Sequence, residues 1–157
     1  MLLENAFEGE IITSVKLFYG KSSDASGSIW DASFSHIREL VIISCDDMQG
    51  SLEALEREIS AAIISKIGFK KTHLEDEHVR RLFSLGRRFP RLKILDLSDT
   101  RITEDSLQIL VQSRILASLI DLRLRGVQGS SGHFISLMKS CILLKRMSFS
   151  GCKKFKN

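Results

Sequence analysis

Proline is almost missing from this sequence, and long apolar runs are missing altogether. One proline in 157 residues is fewer than we expect of an extracellular scaffold. No uninterrupted apolar stretch approaches the roughly 18 residues that a membrane-spanning helix requires. The N-terminal stretch MLLENAFEGE is acidic and lacks the cationic and long apolar regions of a secretory signal. These absences argue against a transmembrane segment and against ordinary secretion.

Cysteine is also scarce, and the three cysteines make an odd number. Cys45 and Cys152 follow short apolar runs, and Cys141 precedes one, so we predict free thiols at core positions rather than disulfides. Unpaired cysteines are typical of a reducing compartment. We therefore expect an intracellular, cytoplasmic protein, or one delivered to a host cytoplasm as a bacterial effector is.

Aromatic residues make up 7% of the chain, whereas apolar residues of all kinds make up 43%. This length and apolar content are enough for one domain with a real core, dominated by leucine and isoleucine. The formal net charge is +4 and the sequence pI is about 9.1. That mild excess is compatible with an acidic partner but is weak evidence for nucleic-acid binding.

One apolar pattern recurs along the chain, most clearly in LKILDLSDTRITEDSLQIL, which begins at Leu92. Leu95 and Leu97 have the two-residue period of a strand with one buried face. Leu107 and Leu110 have the spacing of a helix that packs back over that face. Six in-phase copies, 25 to 28 residues apart, suggest units that bury their apolar sides only by stacking. The copies begin at Ile12, Ile37, Ile64, Leu92, Leu119 and Leu144.

Two of the copies also carry signals for the start of a helix. Thr103 is expected to be the N-cap of the helix that contains Leu107 and Leu110. Glu75, Asp76 and Glu77 place negative charge at the N-terminus of the helix in the preceding copy, where the helix dipole favours it.

This pattern resembles the leucine-rich-repeat superfamily, whose signature is L-x-x-L-x-L-x-x-N/C. Cys45 and Cys152 stand at the ninth position, and Cys141 precedes the last copy, so the closest resemblance is to the cysteine-containing type of F-box/LRR proteins. The ninth position departs from the signature in the other copies, which carry Gly20, Thr72, Thr100 and Val127. The resemblance implies an α/β solenoid, or horseshoe, of about six repeats, with parallel strands on the concave face and helices on the convex face.

The predicted organisation has three parts. Residues 1–11 are an N-terminal cap or flank, residues 12–152 are the leucine-rich-repeat domain, and residues 153–157 are a basic tail. The strand of the last copy is expected to form an uncapped end of the solenoid, where a partner docks. The alternative is an ordinary α/β sandwich in which the spacing arises by chance.

We find no residues that point to catalysis, a cofactor or a metal ion. His73 and His78 are five residues apart and would diverge on a helix, so a solvated surface explains them better than a zinc site. The stretch from Gly129 to Gly132 lacks the spacing of a phosphate-binding loop and is predicted to be a flexible turn. No cysteine has a histidine partner in the pattern, so we predict that the protein is not an enzyme.

The remaining candidates for function are strand and turn residues between the buried positions, which should point outwards on the concave face. Exposed apolar and aromatic side chains beside charges are typical of protein interfaces. The alternative is a solvated sheet face with incidental charges. We expect Arg123 and Arg125 to be exposed. The candidate partner-binding residues form an apolar and aromatic cluster (Phe18, Tyr19, Val41 and Ile43), a lysine group (Lys66 and Lys70) and a gradient from acid to base (Asp96, Asp99 and Asp121, then Arg123, Arg125 and Arg146).

The sequence therefore predicts a non-catalytic module that binds a partner protein through its concave face. The resemblance implies a substrate-recognition element of a larger assembly, ubiquitin-ligase-like, effector or immune-receptor in type. One alternative is that basic residues bind nucleic acid or an anionic membrane, although Asp96, Asp99 and Asp121 interrupt the basic stripe and argue against nucleic acid. Another is a structural subunit of a multiprotein complex.

Overall fold

The structure, a computed structural model, describes residues 2–4, 14–18, 36–58, 63–84 and 89–152. Its described elements form an α/β fold in which strands and helices alternate. The predicted parallel α/β class is confirmed at this level. The predicted basic tail, residues 153–157, lies outside the described residues.

The strands form one sheet whose spatial order follows the order of the chain from β1 to β7. Strands β2 to β7 are parallel, and β1 pairs antiparallel with β2. The sequence pattern predicted only a cap or flank for residues 1–11, so strand β1 is an unpredicted addition to the sheet. The strands are β1 (Leu2–Glu4), β2 (Ser14–Phe18), β3 (Glu39–Ile43), β4 (Lys66–Lys70), β5 (Ile94–Asp96), β6 (Asp121–Arg123) and β7 (Arg146–Ser148).

Equivalent residues of the sequence pattern are neighbours across the sheet. The fourth residue of each copy pairs in register with the fourth residue of the next. A one-residue slip of a strand would turn its core side chains to the opposite face, so burial on one side enforces this register. The paired residues run Val15, Leu40, Ile67, Leu95, Leu122 and Met147.

The four described α-helices cover one face of the sheet, and a short 3₁₀ helix, Arg114–Ser118, follows the third of them. Each α-helix follows a strand, and buried residues from all four share a single core with alternate residues of the strands. Asp47 accepts a hydrogen bond from the Gly50 N–H at 3.0 Å, and Thr103 caps the third helix as its spacing predicted. The helices are α1 (Met48–Glu58), α2 (Asp76–Ser84), α3 (Glu104–Gln112) and α4 (Ser131–Ser140).

The predicted flexible turn from Gly129 to Gly132 is only partly correct. Ser130 is the N-cap of α4, and Ser131 and Gly132 already belong to its first turn. Gly129 is buried, and a Cβ atom there would lie 2.6 Å from Leu107 Cδ1. The absent side chain thus allows α4 to start close against the core, a packing reason that the polar composition of the stretch did not reveal.

A left-handed residue follows the parallel strands at the eighth position of the copies. Two of these residues are glycines, but three carry a Cβ atom that makes this conformation unfavourable. Hydrogen bonds to the next copy hold the turn in place; for example, the Asp99 N–H donates to the Arg125 carbonyl at 2.7 Å. The positive φ angles are 56° at Ser44, 54° at Lys71, 57° at Asp99, 74° at Gly126 and 70° at Gly151.

These turns predict unequal effects for two substitutions. Gly126→Ala should lower the free energy of unfolding by about 1–2 kcal/mol, since it places a Cβ atom in left-handed backbone and 2.7 Å from Asp99 Oδ1. Lys71→Gly should lower it by less than about 0.5 kcal/mol. Glycine adopts the φ of 54° at this position without steric strain, and this gain offsets the larger conformational entropy that glycine gives the unfolded chain. Urea unfolding followed by circular dichroism measures both. Equal losses in the two variants would contradict the role of the backbone conformation.

Candidate functional site

The face of the sheet that the helices leave uncovered carries the candidate residues. Side chains alternate along each strand, so the residues between the core positions point to this side. We call it the open face. It comprises Ser14, Lys16, Glu39, Val41, Ile43, Lys66, Gly68, Lys70, Ile94, Asp96, Asp121, Arg123, Arg146 and Ser148.

The apolar part of the open face lies on β3 and β4. Val41 and Ile43 are half-buried on β3, and Val41 pairs with Gly68 while Ile43 pairs with Lys70. Ile94 is half-buried one strand further on. Of the predicted apolar cluster, the Phe18 side chain and all of Tyr19 lie outside the described residues, although the Phe18 backbone is in β2.

Gly68 contributes a notch that the sequence pattern did not single out. It is buried in the middle of β4, and a Cβ atom there would lie 3.2 Å from Val41 Cγ1 and 3.6 Å from Asp96 Cβ. The side chains of Val41 and Asp96, on the two adjacent strands, therefore lie close to Gly68. A glycine inside a strand is the one signal that pointed to such a close approach.

Charged side chains on the open face pair with one another across the strands. Lys66 Nζ lies 2.9 Å from Glu39 Oε2, in the register that joins β3 to β4. Lys70 is exposed at the end of β4, and no carboxylate of the described residues lies within ion-pair distance of it. Opposite charges facing each other across neighbouring strands stabilise the pairing modestly.

The strongest polar cluster centres on Asp121, at the start of β6. Its carboxylate accepts hydrogen bonds from Arg123 Nη2 at 2.8 Å and from Arg146 Nε at 3.1 Å, and only 2% of its side chain is exposed. Arg123 Nη1 also lies 3.7 Å from Asp96 Oδ2. Asp96 Oδ1 in turn accepts the Ser98 N–H at 3.0 Å. We call Asp96, Asp121, Arg123 and Arg146 the Asp–Arg cluster.

Exposure of the two aspartates was predicted wrongly. Asp96 is 7% exposed and Asp121 is 2% exposed, because arginine side chains from their own and the adjacent strands lie across them. Arg123 is half-buried rather than exposed. Arg125 is exposed as expected, with its Nε 4.0 Å from Asp99 Oδ1 of the half-buried Asp99. The predicted gradient from acid to base is therefore largely a set of internal ion pairs.

Asp121 and Arg123 remain charged at neutral pH. Burial disfavours the Asp121 carboxylate, but hydrogen bonds and the positive charges of Arg123 and Arg146 outweigh it, so the pKa of Asp121 lies below its ordinary value. The hydrogen bond to Asp121 raises the pKa of the Arg123 guanidinium in return. Neither group changes protonation near neutral pH, which fits a structural and surface-shaping role.

The cysteines are free thiols, in buried positions for Cys45 and Cys141 and in a half-buried one for Cys152. Burial raises the pKa of all three thiols. Cys45 Sγ shares a hydrogen bond with Ser51 Oγ at 3.3 Å and donates to the Asp47 carbonyl at 3.2 Å. A protonated thiol held in the core is a poor nucleophile.

The two histidines considered for a zinc site make separate contacts. His73 Nε2 lies 3.2 Å from Asp46 Oδ1 and 2.8 Å from Arg101 Nη2, whereas His78 Nδ1 accepts the Glu75 N–H at 3.0 Å. Within the part of the chain that the structure describes, no three His, Cys, Asp or Glu side chains gather in a way that would hold a metal ion.

Two further results concern the chain beyond the open face. Among the described helices, none is long and apolar enough to cross a membrane. Compared with protein-family models and with curated proteins, the sequence gives no significant match.

Proposed function

We propose that this chain is a non-catalytic protein-recognition module, built as a leucine-rich-repeat horseshoe that binds a partner protein through its open face. Strands in chain order, one layer of helices and the recurring left-handed turn support the horseshoe. In that architecture the open face is the concave one. Intracellular recognition within a larger ubiquitin-ligase-like, effector or immune-receptor assembly is the role that fits the repeat pattern best.

The observation that carries this proposal is the mixed chemistry of the open face. Val41, Ile43 and Ile94 are apolar but only half-buried, so part of each side chain is exposed to solvent. Lys66 and Lys70 lie on the strand between them. No described element covers these side chains. Apolar contact area next to charge is what protein interfaces combine, since the apolar part contributes affinity and the charges contribute orientation.

Binding of nucleic acid or an anionic membrane through the open face is less well supported. Three cations of the open face are ion-paired, because Lys66 lies against Glu39, and Arg123 and Arg146 lie against Asp121. Phosphate binding depends on releasing counterions from cations that are not already neutralised. The paired cations also explain why the mild net positive charge is a poor guide to the partner.

Charge reversal at Lys70 tests the proposal. Lys70 is exposed, so Lys70→Glu should leave the fold intact while placing a like charge against an acidic partner surface. We expect a protein captured from lysate by the wild type to be lost by Lys70→Glu, in affinity capture with mass-spectrometric readout.

Arg91→Glu is the matched control. Arg91 is exposed in the turn before β5, away from the open face, and its reversal changes the net charge equally. The control should keep the partner. Identical protein sets from wild type and Lys70→Glu would contradict recognition through the open face, and recovery of nucleic acid alone would favour the alternative function.

A further inference from the structure

The charges of this chain are divided unevenly along the sequence. From residue 122 to residue 157 there are eight lysines and arginines and no aspartate or glutamate. All nineteen acidic residues precede this stretch, which includes α4 and β7. Among its described residues, Lys139 on α4 and Lys145 just before β7 are exposed. Residues 1–121, in contrast, carry fewer basic than acidic residues.

The same end exposes apolar side chains where earlier copies do not. Ile135 is 46% exposed on α4, and Ile142 and Leu143 are 80% and 53% exposed in the turn before β7. At the positions equivalent to Ile135, Ile142 and Leu143, the two preceding copies carry polar, small or proline residues, whereas one copy further back the half-buried Ile63 stands at the position of Leu143. The residues of the two preceding copies are Arg80 and Gln108, then Pro90 and Ala117, then Arg91 and Ser118.

Apolar positions of the last copy are less buried than the equivalent positions of the two copies before it. Leu92 and Leu119 are 0% exposed, as are Leu95 and Leu122, whereas Leu144 is half-buried at the first position of the last copy. Met147, at the fourth position, is also half-buried. Met138 is 46% exposed on α4. Strand β7 is the last in the sheet, and no described strand pairs with its outer edge.

We propose that this end binds an extended acidic and apolar segment of a partner protein, added as a further strand on the outer edge of β7. We call the surface the β7 end and define it by Ile135, Met138, Ile142, Leu143 and Lys145. The partner's backbone pairs with β7, its apolar side chains contact the exposed apolar residues, and its carboxylates lie near the exposed Lys145.

The backbone edge favours a polypeptide over other anionic partners. An open strand edge presents N–H and C=O groups that need hydrogen-bonding partners. Lipid chains offer none, which is why open sheet edges do not face hydrocarbon. Nucleic acid would match the basic charge, but it would leave Ile142 and Leu143 in contact with a polar backbone.

The probe is a phage-displayed library of random nine-residue peptides, selected on the purified full chain. We expect enrichment of peptides that alternate apolar residues with aspartate or glutamate. The double variant Ile142→Gln with Lys145→Glu changes only exposed residues and should weaken the enriched peptides at least about tenfold, as loss of a central apolar contact and a charge does. Arg91→Glu should bind them as the wild type does.

Backbone methylation separates strand addition from simple charge attraction. Alternate amides of an added strand face the sheet edge, so N-methylation of that set should abolish binding, while methylation of the other set should leave it intact. Lys70→Glu should bind the peptides normally, so this proposal and the open-face proposal stand or fall separately. The proposal would be overturned if the enriched peptides bound the double variant as tightly as the wild type. It would also be overturned if methylation of either set of amides left peptide binding intact, or if the chain bound phosphatidylserine vesicles but no peptide.

Discussion

Replacing Asp76 with alanine is expected to lower the free energy of unfolding by about 2–4 kcal/mol, because several hydrogen bonds to one charged, half-buried group are lost together. Asp76 is the first residue of α2, but its carboxylate serves the next helix. Its Oδ1 accepts the Thr103 N–H at 2.8 Å and the Ser106 N–H at 3.2 Å, and its Oδ2 accepts the Thr103 hydroxyl at 2.7 Å. The hydroxyl of Ser106 donates to Oδ1 as well.

The position of this carboxylate explains the expected size of the effect. Thr103 is the N-cap of α3, where backbone N–H groups lack partners within the helix. A negative charge there also meets the positive end of the helix dipole. Without Asp76, the buried Ser106 hydroxyl and the N–H groups of Thr103 and Ser106 lose their acceptor, and the contact between α2 and α3 weakens.

The loss should depend on pH in a defined sense. Burial disfavours the Asp76 carboxylate, yet hydrogen bonds from Ser106 and Thr103 outweigh it and hold the pKa of this carboxyl below its ordinary value. A lowered pKa in the folded state stabilises the protein above the ordinary carboxyl pKa of about 3.9. That stabilisation disappears as the pH falls through the folded-state pKa. The difference between wild type and Asp76→Ala should therefore shrink in strongly acidic solution.

Urea unfolding monitored by circular dichroism at neutral and acidic pH measures this difference. Glu77→Ala is the control, since Glu77 is the next residue and is exposed in the same first turn of α2. It should cost less than about 1 kcal/mol. Equal losses from the two substitutions would mean that only the charge near the α2 N-terminus matters and that the link to α3 does not.

Arg123→Glu is expected to lower the free energy of unfolding by about 2–4 kcal/mol, since it breaks an ion pair to a buried partner and adds a like charge. The new carboxylate would face Asp121, which is 2% exposed, and would lie near the buried Asp96. Solvent reaches part of Arg123, which keeps the expected cost below that of a fully buried pair.

Arg125→Glu is the matched control, because Arg125 is two residues from Arg123 and its substitution changes the net charge equally. Arg125 is exposed, and its nearest carboxylate oxygen is 4.0 Å away, so the substitution should cost less than about 0.5 kcal/mol. Asp121→Asn combined with Arg123→Glu should lose less than the sum of the two single losses, because the repulsion is removed. Similar losses for Arg123→Glu and Arg125→Glu would refute the Asp–Arg cluster as a stabilising unit.

Local patterns in the amino-acid order predicted the sheet well. Leu95 and Leu97 were predicted to share a buried face, and both are 0% exposed. Thr103 was predicted as a helix cap, and its side chain accepts the Asp105 N–H. Such features depend on side-chain periodicity and on hydrogen bonds between residues close in the chain, so they can be inferred from spacing alone.

The burial and the partners of the charged residues follow only from the folded structure. Asp121 and Asp96 occupy outward strand positions, yet arginines reach across neighbouring strands and bury them. Asp76 looked like an acid placed for its own helix, but its carboxylate caps a helix that begins 28 residues later. The burial of an apolar side chain follows from its hydrophobicity and from the spacing of apolar residues near it in the sequence. The environment of a carboxylate depends on which distant donors the packing brings within hydrogen-bonding distance, and no local spacing specifies that.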